Sequence, residues 1–548
     1  MYGFSISKNG ILTDNYYKQL GEYKEPEPQG VYVMIRKNLY EIIINQDFHG
    51  SFGLYLYENK NRNYFALSNS FLLLEEYLIG KQSLSFNKNF ADNLILSELC
   101  SFSLKETLIN EITQVPSNSF IIINIQQKSL KINLIEYQEN TIPLESEEGM
   151  KIIDDWMDKW AYILRSLTKQ TDNISFDLSG GFETRTLLSI LLNSGIDLNN
   201  IVINSNKNKE NEYNEDSLIA GNISSKYGFQ INNLTYDNKS IKWSSKDSLS
   251  CTIYSKLGFH KEFYLKKNFY INPIFILSES GGEDIRGSPG YPIYEYLKHL
   301  STRNIKDNKE KLFNSSMHLL NRSVDFLKYE RNFNSDYEIA NTLYSKILGR
   351  NHFGKSALES FMANIYFIRP LLDPEIRKIK FEINGNEAHD LIAYIFIRYS
   401  PELIDFPFQG NRTLNSKSIK KAKTLKKNFS PYNTKYDYND NFYIDRKRTS
   451  PVSNRIDNKN IIESMRKFFE SNRYYNIVNE IYDINIYNFA KEYSNKSNFF
   501  PLRHEYGLLP IVTSMEYILL NEKCMKNTDT SNNYCFQIKD RIINKIIN

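Results

Sequence analysis

Apolar positions recur with two different periods along this chain, and the change falls near residue 145. Before it, "GVYVMIRKNLYEIIIN", "GSFGLYLYENKNRNYFALSN" and "SFIIINIQQKSLKINLIEY" are β-branched and aromatic runs. Turn signals such as "ENKN" and "QQKS" break them, so this part predicts β-hairpins. The polar stretch "QENTIPLESEEG" predicts a boundary. From Met150, "MKIIDDWMDKWAYILRSL" places its apolar residues at helical spacing. "NISFDL" then predicts a strand, and "FETRTLLSILLNS" a helix that Gly195 caps. "NIVINS" predicts a second strand, "EDSLIAGNISSKYG" a helix ending at Gly228, and "FQINNLTY" a third strand. Strands and helices alternating at this spacing predict a parallel sheet with right-handed crossovers. The remainder predicts mostly helix, including "YEIANTLYSKIL", "NIIESMRKFFESN" and "PIVTSMEYILL", with a lysine-rich stretch between helices from Asn411 to Phe429.

Length and composition narrow the classes. A chain of 548 residues predicts two domains or more, each with its own core. Hydrophobic residues at 41% and aromatics at 14% give a globular composition. No apolar run reaches the ~18 residues of a transmembrane helix. The start "MYGFSISKNG" lacks the pattern of a signal peptide, so a cytoplasmic protein is expected. Cys100, Cys251, Cys524 and Cys535 show no CxxC spacing, which argues against a disulfide framework or zinc site. A net charge of +4 is too small at this length to argue for nucleic acid. The seven histidines show no ligand spacing, and His49 reads as structural.

The chemistry concentrates in two stretches. In "FDLSGGFETR" a strand runs into Ser179, Gly180 and Gly181, and a helix starts at once. In an open parallel sheet, ligands sit beyond the carboxyl ends of the strands. Glycines let backbone approach a phosphate, and amides at a helix start attract anions. Ser179 and Thr184 add hydroxyls, and Glu183 is a candidate magnesium ligand. No GK[ST] follows, so the loop is not a Walker loop. An ordinary strand-to-helix turn is the competing reading. The second stretch, "FILSESGGEDIRGS", again carries a strand, a Gly-Gly turn and the carboxylates Glu279, Glu283 and Asp284.

Together these residues resemble the asparagine synthetase family. Its phosphate loop reads SGGxDS, against "SGGFETR" here, and a later loop reads roughly SGEGxDELFGG, against "SESGGEDIRGS". "RPLLD", from Arg369 to Asp373, is similar to the family's RxPFLD. "HGSFGLYLYENKNRNYFAL" and "ITQVPSNSF" resemble segments of its glutaminase half. The resemblance implies an α/β protein. Residues 1–144 would be a β-rich domain of the Ntn-hydrolase fold. Residues 145–548 would be an ATP-pyrophosphatase (PP-loop, HUP-like) domain with a mostly helical C-terminal part.

Departures from the family shape what is implied. The family's nucleophilic Cys follows its initiator Met, and here Tyr2 stands there. A phenol with a pKa of ~10 cannot replace a thiolate, so no glutaminase activity is expected. Both metal-binding Asp positions are Glu, at Glu183 and Glu283. The family's general-base Glu aligns with Ser280, beside Glu279. Its intermediate-steadying Lys aligns with Phe408 in "FPFQGN", leaving Arg412, Lys417, Arg185 and Arg286 as substitutes. Lys417, Lys420, Lys421, Lys423, Lys426 and Lys427 read as a solvated surface loop or as an anion-binding flap.

The implied activity is ATP-dependent amide formation: a carboxylate is adenylated with release of pyrophosphate, and an amine or ammonia displaces AMP. Ser179, Gly180, Gly181, Thr184 and Arg185 would hold the phosphates, with Gly281 and Gly282 opposite. Asn204 and Ser205 would lie near adenine. Glu183 and Glu283 would hold Mg2+. Glu279, Ser280 and Arg286 would act on the substrate. A carboxylate-bearing small molecule or nucleotide sugar is the implied acceptor, by similarity to relatives in surface-polysaccharide clusters. Neither nucleic acid nor a membrane span is expected, and a homodimer is compatible with the reading. A peptide or β-lactam-type cyclase, a nucleotide-binding pseudoenzyme, and a sulfur or nucleotidyl transfer enzyme are the rival readings.

Overall fold

The computed structural model describes residues 1–19, 26–59, 64–97, 100–135, 137, 141–205, 215–232, 240–242, 268–282, 285, 309–330, 332–333, 336–380, 389–427, 442–444 and 511. It is a mixed α/β protein with antiparallel and parallel sheets. The expected hairpins form: Gly30–Lys37 pairs antiparallel with Glu41–Gln46, Tyr55–Asn59 with Tyr64–Ser68, and Ser119–Asn124 with Ser129–Leu134. They build two sheets. One has seven strands in the order Tyr443–Ile444, Gly10–Leu12, Tyr2–Ser7, Gly30–Lys37, Glu41–Gln46, Ser119–Asn124, Ser129–Leu134. The other has three, with Tyr55–Asn59 between Tyr64–Ser68 and Ile112–Gln114. The first strand of the larger sheet comes from late in the chain and pairs parallel with Gly10 and Ile11.

The helix Glu147–Thr168 follows. Ser146 caps it, its Oγ accepting from the Gly149 N–H at 3.0 Å, and Glu147 and Glu148 complement its dipole. Its face of Met150, Ile153, Trp156, Met157, Trp160, Ile163, Leu164 and Leu167 is buried. The two indoles also pin a distant segment: Trp156 Nε1 donates to the Pro370 carbonyl at 3.0 Å, and Trp160 Nε1 to Asp373 Oδ2 at 2.8 Å.

The parallel sheet has the order Val202–Asn204, Ile174–Asp177, Ile274–Leu277, Ile365–Ile368. Its strands are short apolar runs covered on both faces, as parallel sheets require. From Ile174–Asp177 the chain first adds a strand on one side, and its later strands join on the other. The sheet therefore reverses direction at this strand, and a crevice opens beyond its carboxyl end. The helices Phe182–Asn193 and Glu215–Tyr227 form as expected, with Gly195 and Gly228 at φ +66° and +73° just past their ends.

Two expectations need correction. Phe229–Asn232 is not strand, because Asn232 takes a left-handed φ of +59° that ends any extended run. The sheet's third neighbour is Ile274–Leu277 instead, and positions 233–236 lie outside the described residues. The lysine-rich segment is not a loop either: Ser416–Lys427 is a helix. It turns Ser418, Ala422 and Leu425 inward, and Lys421 and Lys426 are engaged with Asp390 and the Ile397 carbonyl at 2.8 Å each. "YEIANTLYSKIL" does form a helix, Asp336–Leu348. "NIIESMRKFFESN" and all of "PIVTSMEYILL" except Ile511 lie outside the described residues. Among those described, no helix is long and apolar enough to cross a membrane.

Candidate functional site

Both Gly-Gly turns sit at the carboxyl edge of the parallel sheet, on neighbouring strands. The Leu178 N–H still bonds to the Asn204 carbonyl at 2.8 Å, so the sheet ends one residue before Ser179. There the chain turns on its own hydroxyls. Ser179 Oγ lies 3.0 Å from Thr184 Oγ1, which also accepts from the Ser179 N–H at 3.3 Å. The Gly181 N–H donates to Ser179 Oγ at 3.1 Å. Gly181 is the N-cap of the helix Phe182–Asn193 and brings no side chain to its first amides. Those amides lie within the first turn, where the dipole favours an anion.

The Gly180 N–H donates to Asp216 Oδ1 at 2.7 Å. Asp216 Oδ2 accepts from Gln409 Nε2 at 2.9 Å, and the Gln409 N–H returns to the Gly180 carbonyl at 3.1 Å. Glu215 accepts from the Gly410 N–H at 3.0–3.1 Å. A Cβ on Gly180 would stand 2.7 Å from Ile219 Cδ1 and 3.1 Å from Gln409 Cβ, so the close approach needs glycine.

The second turn leaves the strand Ile274–Leu277 with the Ser278 N–H on the Ile368 carbonyl at 2.8 Å. Ser278 and Ser280 hydroxyls are 2.8 Å apart, and Glu279 is exposed. Gly281 has φ +92°, and the Gly282 N–H closes on the Glu279 carbonyl at 3.1 Å. A Cβ on Gly282 would lie 1.9 Å from Glu183 Cγ. The half-buried Glu183 side chain thus rests against the second turn, one residue before Glu283. Glu283, Asp284 and Arg286 lie outside the described residues.

The structure therefore brings together Ser179, Gly180, Gly181, Glu183, Thr184 and Gly282, with Ser280 and Gly281 in the same second turn. Asn204 and Ser205 end the adjacent strand. Asn204 Nδ2 donates to Asp177 Oδ1 at 3.1 Å, and the buried Ser205 Oγ has no hydrogen-bond partner among the described residues. Among those residues, no three His, Cys, Asp or Glu side chains converge as a metal cage would require.

Arg185 is a correction. It is fully buried behind the turn, with its guanidinium donating to the carbonyls of Leu403 at 3.2 Å, Phe406 at 2.9 Å and Pro407, and reaching the Gly180 carbonyl at 3.5 Å. It also stacks 3.8 Å over the Phe408 ring. Burial, and then the nearby Arg412, lower its pKa to about 10. The reason is helical phase: one residue past Thr184 is a rotation of ~100°, into the core. Phe408 is itself buried, 4.4 Å from the Phe182 ring. Arg412 stays beside the site, 5.3 Å from that ring, with Nε on the Gln409 carbonyl at 2.9 Å.

Glu215, Asp216, Gln409 and Gly410 were missed by sequence reasoning. The only signal was the acidic pair opening the helix Glu215–Tyr227, and it reads equally as a dipole complement. In the β-rich half, Tyr2 is 65% exposed on a strand, so no pocket encloses it. His49 is structural, with Nε2 2.8 Å from the Leu372 carbonyl. No family model matches the chain, and no curated protein matches it.

Proposed function

We propose that the chain is an ATP-dependent, AMP-forming carbon–nitrogen ligase of the asparagine synthetase kind. One observation carries the reading. Two Gly-Gly turns leave adjacent parallel strands at the sheet's reversal point, and the Glu183 carboxylate arm of one rests on Gly282 of the other. That is the arrangement a shared magnesium–pyrophosphate site would need, with Glu283 directly following. Magnesium keeps several waters and phosphate oxygens, so one or two carboxylates suffice as protein ligands. The donor chemistry fits: Glu183 is a hard oxygen ligand, and the glycine contacts leave backbone rather than side chain facing the crevice.

In this reading, Ser179 and Thr184 present hydroxyls to the departing pyrophosphate, and the first amides of Phe182–Asn193 add their dipole. Glu183 and Glu283 would hold Mg2+, which neutralises charge on the leaving group. Ser205 and Asn204 would face the nucleoside. Glu279, Ser280 and Arg286 would border the carboxylate substrate. Residues 1–144 then form an Ntn-hydrolase-like unit without glutaminase activity, and 145–548 a PP-loop synthetase unit working in the cytoplasm. The acceptor class we favour is a sugar acid, with free ammonia or an amine as nitrogen source.

The test is to incubate the protein with ATP, magnesium and a panel of uronic acids, amino acids and nucleotide-linked acids, and to resolve the products. AMP and pyrophosphate are expected. ADP with inorganic phosphate as main products rules the mechanism out. A second reading, a nucleotide-binding pseudoenzyme, is favoured by Phe408. Its ring is packed into the core where the family carries its catalytic lysine. Clear MgATP binding without AMP from any acceptor would select that reading.

A further inference from the structure

We propose that Asp216 is an internal anion seated in the phosphate cradle, and that it sets which phosphates the site accepts. The inference rests on reading the Ser179–Thr184 turn as a phosphate site.

A carboxylate and a phosphate oxygen are the same kind of guest for a backbone N–H: anionic and acceptor-only. The Gly180 amide already has such a guest at 2.7 Å. The position is built rather than incidental. Asp216's second oxygen is held by Gln409 at 2.9 Å, and Gln409 is tied back to the Gly180 carbonyl at 3.1 Å. One turn along the same helix, the buried Ile219 presses on Gly180 and fixes the helix against the loop. Glu215, the preceding residue, clamps the Gly410 amide, so the helix start and the 409–410 segment move as one piece.

Among the described residues, three carboxylates and two guanidiniums lie around the turn. Asp216, Glu183 and Glu215 reach it or its neighbours, while the buried Arg185 spreads its guanidinium over the carbonyls of Leu403, Phe406, Pro407 and Gly180 from the core side. Arg412, over the Phe182 ring, is a second cation beside the turn, and neither guanidinium bonds to Asp216 in the described contacts. An entering anion close to Asp216 is repelled by its carboxylate, the more so the less water lies between them. A guest must therefore displace the carboxylate or arrive with a divalent cation. Inorganic phosphate and sulfate do neither well. A magnesium-bound pyrophosphate, or the corresponding part of a nucleotide, brings both the cation and enough contacts to replace those lost.

The experiment is calorimetric titration of the full chain with inorganic phosphate, with pyrophosphate with and without magnesium, and with MgATP. Wild type, Asp216→Ala and Asp216→Asn are compared, with thermal melts for each. Wild type should bind magnesium pyrophosphate and MgATP and fail to register phosphate at millimolar concentration. Asp216→Ala should bind magnesium pyrophosphate about tenfold more tightly, the size of one charge-assisted hydrogen bond no longer competing. It should also gain measurable phosphate binding and lose most of the magnesium requirement. Asp216→Asn keeps the acceptor but not the charge and should fall between. If Asp216→Ala melts below assay temperature, Asp216→Asn alone decides by the same signs. Wild-type binding with equal or weaker binding in the variants overturns the proposal and makes Asp216 a buttress of the loop. No binding of any phosphate by any of the three proteins overturns the phosphate-site reading and this proposal with it.

Discussion

The carboxyl edge of the parallel sheet and the seam against the β-rich half both gather polar groups, but they use them in opposite ways. At the sheet edge, hydroxyls, amides and carboxylates converge on turns made of glycine. At the seam, three basic side chains cross from the second half and end on backbone carbonyls. Arg350 donates to Val115 at 3.0 Å and Leu104 at 2.9 Å, Arg369 to Gly30 at 2.9 Å, and Lys355 to Phe52. Gln29 and His49 answer from the other side, both on the Leu372 carbonyl at 2.9 and 2.8 Å. Burial lowers the Arg350 and Arg369 pKa values to about 10, and Asp47 opposes the shift at Arg369. Polar groups at the seam end on backbone carbonyls of the other half, while those at the edge bond to one another around the two turns.

That contrast can be broken by substitution. Arg350→Ala leaves two buried carbonyls without donors and opens a large void, so it should cost about 3 kcal/mol or more. The check is a denaturant midpoint, with nucleotide affinity of the folded fraction unchanged. Thr184→Val should leave the midpoint within about 1 kcal/mol. It should cut AMP formation ~10²-fold, the typical loss for one donor in a preorganised site. Equal losses in stability and turnover would make Thr184 another seam-like residue. Gly282→Ala must push Glu183 aside, and should weaken MgATP binding about tenfold. Its overpacking cost is ~1–3 kcal/mol, relieved in part because Glu183 is a flexible side chain.

A smaller effect comes from Asp47, whose carboxyl burial pushes up to about 6, against the pull of Arg369 and of the Ser51 and Tyr32 donors. Its folded pKa lies above the unfolded value, so its contribution is present at low pH and lost as pH rises through about 6. Moving from pH 7 to pH 5 should therefore add about 1 kcal/mol to stability. Asp47→Asn should flatten that slope in thermal melts at the two pH values. The smallest effect is expected at Tyr2. Tyr2→Ala should shift stability by less than about 0.5 kcal/mol, and neither protein should release glutamate from glutamine.

The elements around the site were legible because their signals are local. β-branched and aromatic runs broken by turn signals mark the hairpins, and Gly195 and Gly228 end helices where αL residues are needed. Ser179–Gly181 reads as a turn after an apolar run. What escaped depends on residues far apart in sequence. Asp216 meets Gly180 across 36 positions and Arg185 meets Pro407 across 222, and nothing near either residue announces its partner. The helix Ser416–Lys427 was hidden by its lysines. Its buried positions Ser418, Ala422 and Leu425, with half-buried Ile419 beside them, make a stripe too thin to outweigh six cations.

The pairing of Tyr443–Ile444 with Gly10–Leu12 has a consequence for synthesis on the ribosome. A Cβ on Gly10 would stand 2.0 Å from the Tyr443 carbonyl oxygen, so the two backbones are in intimate contact. The first sheet emerges early, but the strand that closes its edge is made about 430 residues later. At ~5–20 residues per second, that edge stays open for roughly 20–90 s in every nascent chain. Throughout that interval, unpaired amides and carbonyls are available to neighbouring chains. A chain truncated before Tyr443 would keep its edge open permanently. Such truncations should precipitate or recruit holdase chaperones during translation, while chains extended past Ile444 should not.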